Sequence, residues 1–268
     1  MKLAIFNQEK NKTGEKELPQ QFKEEYRPDL IRRAVQALER ASRQNPGSHP
    51  EAGKRSSSTV SKRRRDYRGC YGFGISRVNR KIHSRRGTRM FWVGAFTAQT
   101  VGGRRAHPPK AEKVRVQLIN KKENRKAIRS AMAATLNQQI VAGRGHHVPV
   151  EYPFILDASF ENLTKTKEVE RILIHLGFEK ELQRSSVKKV RAGMGKLRGR
   201  KYQRKKGILI VVGDNCPLLK AAKNIAGIDV IAAKTLNAKL LAPGAMPGRA
   251  TLWTAKAIAN IEQNKLFV

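Results

Sequence analysis

The apolar residues at the start of the chain follow two regular periods. Residues 1–6 alternate between apolar and polar positions, as a short strand does. Residues 28–43 place an apolar side chain every three to four positions, and Pro28 suits the first turn of a helix. Asn45-Pro46-Gly47 then predicts the end of that helix. The N-terminal pattern therefore predicts a strand followed by a helix.

From Val114 onward the pattern alternates between strands and helices. The predicted helices lie at 124–142, 165–176, 178–190, 216–225, 235–241 and 255–263. The predicted strands lie at 153–157, 207–212, 228–232 and 250–254. Near-continuous apolar strands that alternate with helices predict a mainly parallel sheet. The predicted fold class is α/β, a three-layer domain with helices on both faces of the sheet, interrupted by a long, basic, extended loop.

Neither period continues through residues 46–113, and no strand or helix is predicted there. Between Lys54 and Lys113 there are 17 Lys or Arg residues against two acids, Asp66 and Glu112. Glycines and single aromatic residues are interspersed among the cations. The stretch is too charged to be missed core and too rich in bulky residues to be a bland linker. It is typical of chain that becomes ordered on a polyanion.

A second basic segment lies within the C-terminal part, at residues 184–206, with 11 Lys or Arg and no acid. We therefore expect a globular α/β body at 1–45 and 114–268, a basic loop at 46–113, and this second segment inside the body. The whole chain has 56 basic and 21 acidic residues and a net charge of +35. Such an excess indicates a nucleic-acid partner.

The same residues argue against a membrane partner. An anionic membrane is the weaker alternative, because no basic amphipathic helix with an apolar face stands out. No apolar run approaches the roughly 18 residues that would span a bilayer. The N-terminal residues have no apolar run followed by a small-residue cleavage site. Lone Cys70 and Cys216 fit a reducing cytosol better than a disulfide framework.

Motifs for catalysis and cofactor binding fail on their spacing. The phosphate-loop pattern needs Ser or Thr after Gly-Lys, but Leu197 follows Gly195-Lys196. Gly72-Phe73-Gly74 would need a third glycine where Arg77 stands, so the dinucleotide pattern fails too. The sequence therefore predicts no catalytic residue and no cofactor.

Two further pairs of polar residues have ordinary structural interpretations. His146-His147 are adjacent and lack a third ligand at a metal-site spacing, so we expect a polar surface turn and no metal. Asp157 and Glu161 follow a predicted strand, where a helix cap or a surface pair is the expectation.

Several segments together resemble the family of large-subunit ribosomal protein four, in its archaeal and eukaryotic form. They are Tyr71-Gly72-Phe73-Gly74-Ile75-Ser76-Arg77-Val78-Asn79-Arg80, Val101-Gly102-Gly103-Arg104-Arg105-Ala106-His107-Pro108-Pro109, Arg191-Ala192-Gly193-Met194-Gly195-Lys196-Leu197-Arg198-Gly199-Arg200, Lys239-Leu240-Leu241-Ala242-Pro243-Gly244, and Gly248-Arg249 with Leu252-Trp253-Thr254. The resemblance runs from the first residues to about Ile261, and the absence of a long basic tail after Val268 suggests the archaeal form.

This resemblance implies a structural, non-enzymatic ribosomal protein of the cytoplasm. Its partners would be large-subunit rRNA, neighbouring large-subunit proteins, including protein twenty-two at the tunnel constriction, and the nascent polypeptide. The body would lie on the outer face of the subunit and support assembly, and the tip of the loop, near Ile75–Arg89, would line the exit tunnel. The tunnel-lining residues that it implies are Arg77, Val78, Asn79, Arg80, Lys81 and Ile82.

The basic composition and the resemblance together predict the rRNA-binding residues. In the loop they are Arg63, Arg64, Arg65, Arg68, Arg77, Arg80, Lys81, Arg85, Arg86, Arg89, Arg104, Arg105 and His107. In the second segment they are Lys188, Arg191, Lys196, Arg198, Arg200, Lys201 and Arg204. Two other classes fit the sequence less well: a DNA-binding protein, for which no helix-turn-helix or zinc finger is visible, and an RNA-acting enzyme, which would need a catalytic constellation.

Overall fold

The computed structural model of the chain describes residues 1–56, 58, 60–66, 70–72, 74–86 and 89–268, with the backbone alone at 82–86 and 89–92. The described residues form two compact units. We call residues 1–42 and 116–268 the body unit, and residues 43–115 the insertion unit.

The strands in chain order are β1 (Lys2–Phe6), β2 (Lys12–Glu17), β3 (Arg80–Arg86), β4 (Arg89–Gly94), β5 (Ile155–Leu156), β6 (Lys189–Val190), β7 (Tyr202–Gln203), β8 (Leu209–Val212), β9 (Asp229–Ala232) and β10 (Thr251–Thr254). The helices are α1 (Pro28–Ala41), α2 (Lys121–Leu136), α3 (Gln138–Gly143), α4 (Thr166–Leu173), α5 (Glu179–Ser186), α6 (Met194–Leu197), α7 (Leu218–Ala221), α8 (Ala238–Leu241) and α9 (Ala255–Gln263). Within the described residues, no helix is long and apolar enough to cross a bilayer.

The body unit is built on a six-stranded sheet in the order β2-β1-β5-β10-β8-β9. β1 and β2 are antiparallel, and every other pair in this sheet is parallel. The last strand, β10, inserts between β5 and β8, with Trp253 opposite Ile155 and Thr251 opposite Leu209. The strand order therefore reverses at β10, which places the ends of β5, β8 and β10 side by side.

Helices cover both faces of this sheet. Leu209, Val211 and Trp253 point into a core with α1, α2, α8 and α9. The alternate residues, such as Ile210 and Leu252, point into a second core with α3, α4 and α7. Because successive side chains of a strand face opposite sides, this division follows directly from the apolar runs of the strands. The predicted three-layer α/β class with a mainly parallel sheet is confirmed.

The sequence pattern predicts neither β2 nor the pairs β3–β4 and β6–β7. β2 has the sequence Lys-Thr-Gly-Glu-Lys-Glu and pairs with β1 at the edge of the sheet, where its side chains need no apolar period. The expectation of no strand at 46–113 was wrong, because β3 and β4 form an antiparallel pair with Arg80 opposite Gly94 and Arg86 opposite Arg89. Backbone hydrogen bonds can hold such a ladder without an alternation of apolar side chains.

Several helices are shorter than the periods predicted. The helix expected at 124–142 is split at Asn137, which has extended dihedral angles and accepts hydrogen bonds from the amides of Gln139 and Ile140. A cap of this kind ends one helix and starts the next. The helix expected at 178–190 ends at Ser186, and Lys189–Val190 is a strand instead. By contrast, β10 and α9 match their predicted ranges closely.

Candidate nucleic-acid interface

The second basic segment folds as a small exposed hairpin on the body unit, here called the basic hairpin (residues 187–206). β6 and β7 pair antiparallel, with Lys189 opposite Gln203 and Val190 opposite Tyr202. The turn of α6 lies between them. Every residue of the hairpin is exposed except Arg191 and Gly195, which are half-buried. The segment therefore presents almost all of its side chains to solvent.

The tip of the basic hairpin depends on two glycines. Gly193 has φ 73° and ψ −161°, a region essentially restricted to glycine. A Cβ on Gly195 would lie 2.6 Å from Cδ of Arg191, so that side chain packs against a bare backbone. The amide of Arg200 donates to the carbonyl oxygen of Gly195 at 3.0 Å and closes the turn. The glycine-rich motif thus has a local folding role in this turn.

Most of the charge on the basic hairpin is uncompensated. Between Glu181 and Asp214 the sequence has no acid. In the described part of the chain, no carboxylate lies within salt-bridge distance of the nine cations between positions 188 and 205. They are Lys188, Lys189, Arg191, Lys196, Arg198, Arg200, Lys201, Arg204 and Lys205. Such a cluster attracts a polyanion and repels itself until one is bound.

The entry to the basic hairpin is fixed by a buried carboxylate, Glu181. Arg184 donates to it twice, from Nη2 to Oε1 at 2.6 Å and from Nε to Oε2 at 2.8 Å. Nη2 of Arg184 also donates to the carbonyl oxygen of Lys206 at 2.8 Å, so one guanidinium bridges the two ends of the hairpin. Neither end can shift without disturbing this group.

A histidine completes the buried group. His146 lies 2.7 Å from Glu181 through Nδ1, and the amide of His147 donates to the other oxygen at 3.0 Å. Burial alone would raise the pKa of Glu181, but the hydrogen bonds from Arg184, His146 and His147 lower it to about 2. Burial lowers the pKa of His146, against the opposing effect of Glu181. The expected surface turn at His146 is therefore wrong, because this side chain is an internal partner of α5.

The exit of the basic hairpin is held by a second buried cation, Arg249, which is 1% exposed. Its Nη2 donates to Asp229 Oδ2 at 2.6 Å, and its Nε donates to the carbonyl oxygen of Gly207 at 2.8 Å. Nη1 donates to the carbonyl oxygen of Leu240 at 3.0 Å. Lys206 shares the same carboxylate at 2.9 Å. Arg249 therefore joins strands and has no free face for a ligand.

In the insertion unit, cations are arranged around an aromatic ring. Cζ of Arg77 lies 4.4 Å from the centroid of the Tyr71 ring, and Cζ of Arg64 lies 5.9 Å from it. Arg80 donates from Nη2 to the carbonyl oxygen and hydroxyl of Ser76 at 3.0 and 3.1 Å. The distances of Arg77 and Arg64 to the ring are within cation–π range, so these two guanidiniums are held in place while they keep their charge.

The predicted rRNA-binding residues fall into one group in each unit. Those with exposed side chains are Arg63, Arg64, Arg65, Arg77, Arg105, His107, Lys188, Lys196, Arg198, Arg200, Lys201 and Arg204. Those with half-buried side chains are Arg80, Lys81, Arg104 and Arg191, as are the predicted tunnel residues Val78 and Asn79. Arg68 lies outside the described residues, and only the backbone is described at Ile82, Arg85, Arg86 and Arg89.

The supporting residues were not recognised in the sequence. The contacts that matter join distant parts of the chain. They are those of Glu181 with His146, of Arg184 with Lys206, and of Asp229 with Arg249, which is 20 residues away. Their only local signal is Glu181 and Arg184 at helical spacing, which is common on solvated helices. Arg249 belongs to one of the family-like motifs, but that motif does not predict its burial.

The carboxyl ends of β5, β8 and β10 surround a cavity of about 350 Å³, where an enzyme of this fold would keep its site. Glu161 lines it and is buried, because its Oε1 accepts from the amide of Gly213 at 2.9 Å and from Oγ1 of Thr254 at 2.6 Å. Glu161 thus ties neighbouring strand ends together and is not the surface acid expected. Asp157 does cap the following turn, accepting from the amide of Ser159.

The thiol of Cys216 also lines this cavity, and burial raises its pKa. A raised pKa leaves the thiol protonated and weakly nucleophilic. Cys216 is therefore poorly suited to act as a nucleophile in this cavity. Within the described residues, no group of three or more His, Cys, Asp or Glu side chains is placed to hold a metal ion.

The fold and this surface define a strongly basic α/β protein with a rigidly based, solvent-exposed cationic hairpin. The model of the ribosomal protein L4/L1 family matches residues 16–264, nearly the whole chain. The chain belongs to this family. It is accordingly a structural ribosomal protein and not an enzyme.

Similar relatives come from archaea and match over their full length. "Large ribosomal subunit protein uL4" of Nanoarchaeum equitans is 48% identical over 268 residues and is covered completely, as is this chain. The protein of the same name from Methanocaldococcus jannaschii is 43% identical, with 98% of this chain and 99% of the relative covered. That of Archaeoglobus fulgidus is 42% identical, with 96% and 97% covered. The expected family and its archaeal form are confirmed, and membership places the chain in the cytoplasm with the ribosome.

Proposed function

We propose that this chain binds the rRNA of the large ribosomal subunit and supports its assembly. The nine unpaired cations of the basic hairpin, on a base fixed by Glu181 and Arg249, carry this proposal. Each Lys or Arg that neutralises a phosphate releases a condensed counterion, which favours binding strongly at low salt. Fixing the hairpin through buried contacts reduces the ordering cost of binding.

The insertion unit supplies a second RNA-binding surface in this proposal. Between Asp66 and Glu112 the sequence has no acid. Arg64 and Arg77 are held against Tyr71 and keep their charge available for phosphates. The pair of β3 and β4 would hold further cations along a ribbon that, at seven residues, spans about 23 Å. A ribbon of this kind suits a narrow passage between RNA helices.

We further propose that the insertion unit lines the nascent-polypeptide exit tunnel near its constriction, next to ribosomal protein twenty-two. The proposed tunnel-lining residues are Arg77, Val78, Asn79, Arg80, Lys81 and Ile82. The last three of them begin β3, where the ladder that pairs Arg80 with Gly94 holds the backbone, and the first three lead into that strand. Cationic side chains in a wall of phosphates would influence charged nascent chains as these pass.

Crosslinking tests both the proposed rRNA binding and the proposed place of the insertion unit in the exit tunnel. A photoreactive residue is placed at Lys81 in ribosomes that carry a stalled nascent chain, and at Lys196 of the basic hairpin as the matched control. We expect Lys81 to crosslink to the nascent chain or to protein twenty-two, and Lys196 to crosslink to rRNA alone. Crosslinks from Lys81 and its neighbours only to rRNA would refute the tunnel assignment. A protein that leaves the large subunit on sedimentation in high salt would refute stable rRNA binding.

A further inference from the structure

The basic hairpin exposes apolar side chains as well as cations. Leu197 is 77% exposed, Met194 is 60% exposed and Val187 is 60% exposed. Val190 and Tyr202 are 50% and 45% exposed. Five large apolar groups are thus exposed in a segment of twenty residues, and those that lie side by side form the kind of surface that binding covers. If the hairpin only neutralised phosphates, its cations would be bound but its apolar side chains would stay exposed to water.

The register of the two strands brings an aromatic and an aliphatic side chain together. Val190 pairs directly with Tyr202, and side chains of directly opposed residues lie on the same face of a ribbon. Nζ of Lys188 lies 3.6 Å from the centroid of the Tyr202 ring, and Nζ of Lys201 lies 5.5 Å from it. The ammonium of Lys188 thus lies over the Tyr202 ring on the face that carries Val190, and we call this mixed apolar and cationic surface the Val190–Tyr202 face.

The charge around this face restricts what can cover it. A protein partner would have to combine an apolar surface with enough carboxylates to match nine cations, since residues 182–213 contain none. RNA offers both features in one molecule, phosphates for the cations and base faces for the apolar groups. Regular duplex RNA offers only the first, because its bases are stacked inside the helix. Unpaired nucleotides expose their base faces to aromatic and apolar side chains.

We propose that the Val190–Tyr202 face, with Met194 and Leu197 at the tip of the hairpin, binds unpaired RNA bases beside the phosphates that the hairpin neutralises. This rests on the proposed RNA binding and narrows it, because the substrate is a loop, bulge or single-stranded junction and not a continuous duplex. Tyr202 stacks on a base, while Lys188 and Lys201 stay close enough to bind the adjoining phosphates.

The test compares two RNA probes that differ only in unpaired nucleotides. One is a fully paired stem and the other is the same stem with an internal loop, and both are titrated with the full chain. Tyr202→Ala should weaken binding to the looped stem roughly tenfold, as loss of one stacked base does, and leave the paired stem unchanged. Gln203→Ala is the matched control, since Gln203 is the uncharged, exposed neighbour on the opposite face. Tyr202→Phe, which keeps the ring, should restore binding to the looped stem.

Each alternative outcome has a distinct meaning. Equal losses on the two stems would overturn the inference, because they would indicate a general effect on the hairpin. No loss on either stem would also overturn it, and would leave the Val190–Tyr202 face for another ribosomal protein. Failure of the unmodified chain to bind either stem would refute the proposed RNA binding itself. A photocrosslink from 4-thiouridine in the loop to the peptide that contains Tyr202 gives independent support.

Discussion

Replacing Glu181 by glutamine removes one charge from the buried group at the base of the basic hairpin and changes almost no volume. The carboxylate is fully buried and accepts hydrogen bonds from Arg184, His146 and the amide of His147. Glutamine keeps one acceptor oxygen but places an NH₂ group against donors. The guanidinium of Arg184, 15% exposed, then lacks a counterion. A charge left unpaired in such a place is costly.

The pKa of Glu181 sets the size of the stabilisation that its charge gives to the folded chain. It is about 2 in the folded chain, against an ordinary pKa of 4.5 for a glutamate side chain. A difference of about 2.5 units at roughly 1.36 kcal/mol per unit gives about 3 kcal/mol. Because the folded pKa is depressed, this stabilisation is complete above pH 4.5 and is lost as the pH falls toward 2. His146, whose pKa is lowered by burial, adds its own loss of stability as the pH falls below 6.5.

The assay is urea unfolding of the RNA-free chain, followed by circular dichroism at neutral pH and again at several values below pH 4.5. Glu181→Gln should lower the free energy of unfolding by about 3 kcal/mol at neutral pH, and its difference from the unmodified chain should shrink as the pH falls toward 2. Glu179→Gln, on the same helix but exposed, is the control and should have little effect. A neutral-pH difference below about 0.5 kcal/mol, or one that does not change with pH, would refute the reasoning.

Three further predictions concern the two units. Arg249→Met should lower the free energy of unfolding of the RNA-free chain by about 3 kcal/mol, because three carbonyl groups lose a buried donor and Asp229 keeps only Lys206; an unchanged thermal midpoint would contradict this. Gly193→Ala should weaken RNA binding while leaving body unfolding unaltered, since its strain falls on the exposed hairpin tip; equal RNA affinity would exclude a role for this turn. Trypsin should cut the RNA-free chain first between residues 43 and 115, and bound rRNA should protect that range; protection without RNA would show that the unit is already stable.

The strands and helices that were predicted correctly are those whose side chains are sorted by burial. β10 and α9 follow the apolar run and the helical period closely, because both elements pack in the core. β2 and β3 were missed because mainly polar or cationic residues form them, and β4 because its short apolar run does not alternate; backbone pairing itself leaves no periodic signal. The break at Asn137 was missed because an asparagine cap within a continuous helical period has no apolar signature.

The sequence predicts that the candidate site is strongly basic, but not which of its cations pair with carboxylates and which remain exposed for RNA. The sequence shows 11 cations at 184–206, but not that Arg184 and Lys206 are neutralised by Glu181 and Asp229. Glu181 and Arg184 lie one turn apart on α5, but the contact of Lys206 with Asp229 and that of His146 with Glu181 form only when distant elements meet. Which cations remain for RNA is therefore a property of the tertiary structure.

The salt dependence of binding to large-subunit rRNA measures the release of counterions by those remaining cations directly. If each of the nine unpaired cations of the basic hairpin neutralises one phosphate, the slope of log K against log salt is about −6 for unpaired RNA, and the insertion unit makes it steeper. Replacing Arg198, Arg200 and Lys201 together by alanine should make the slope shallower by about 2. A nearly flat slope, or the same slope in the triple variant, would contradict binding through this surface.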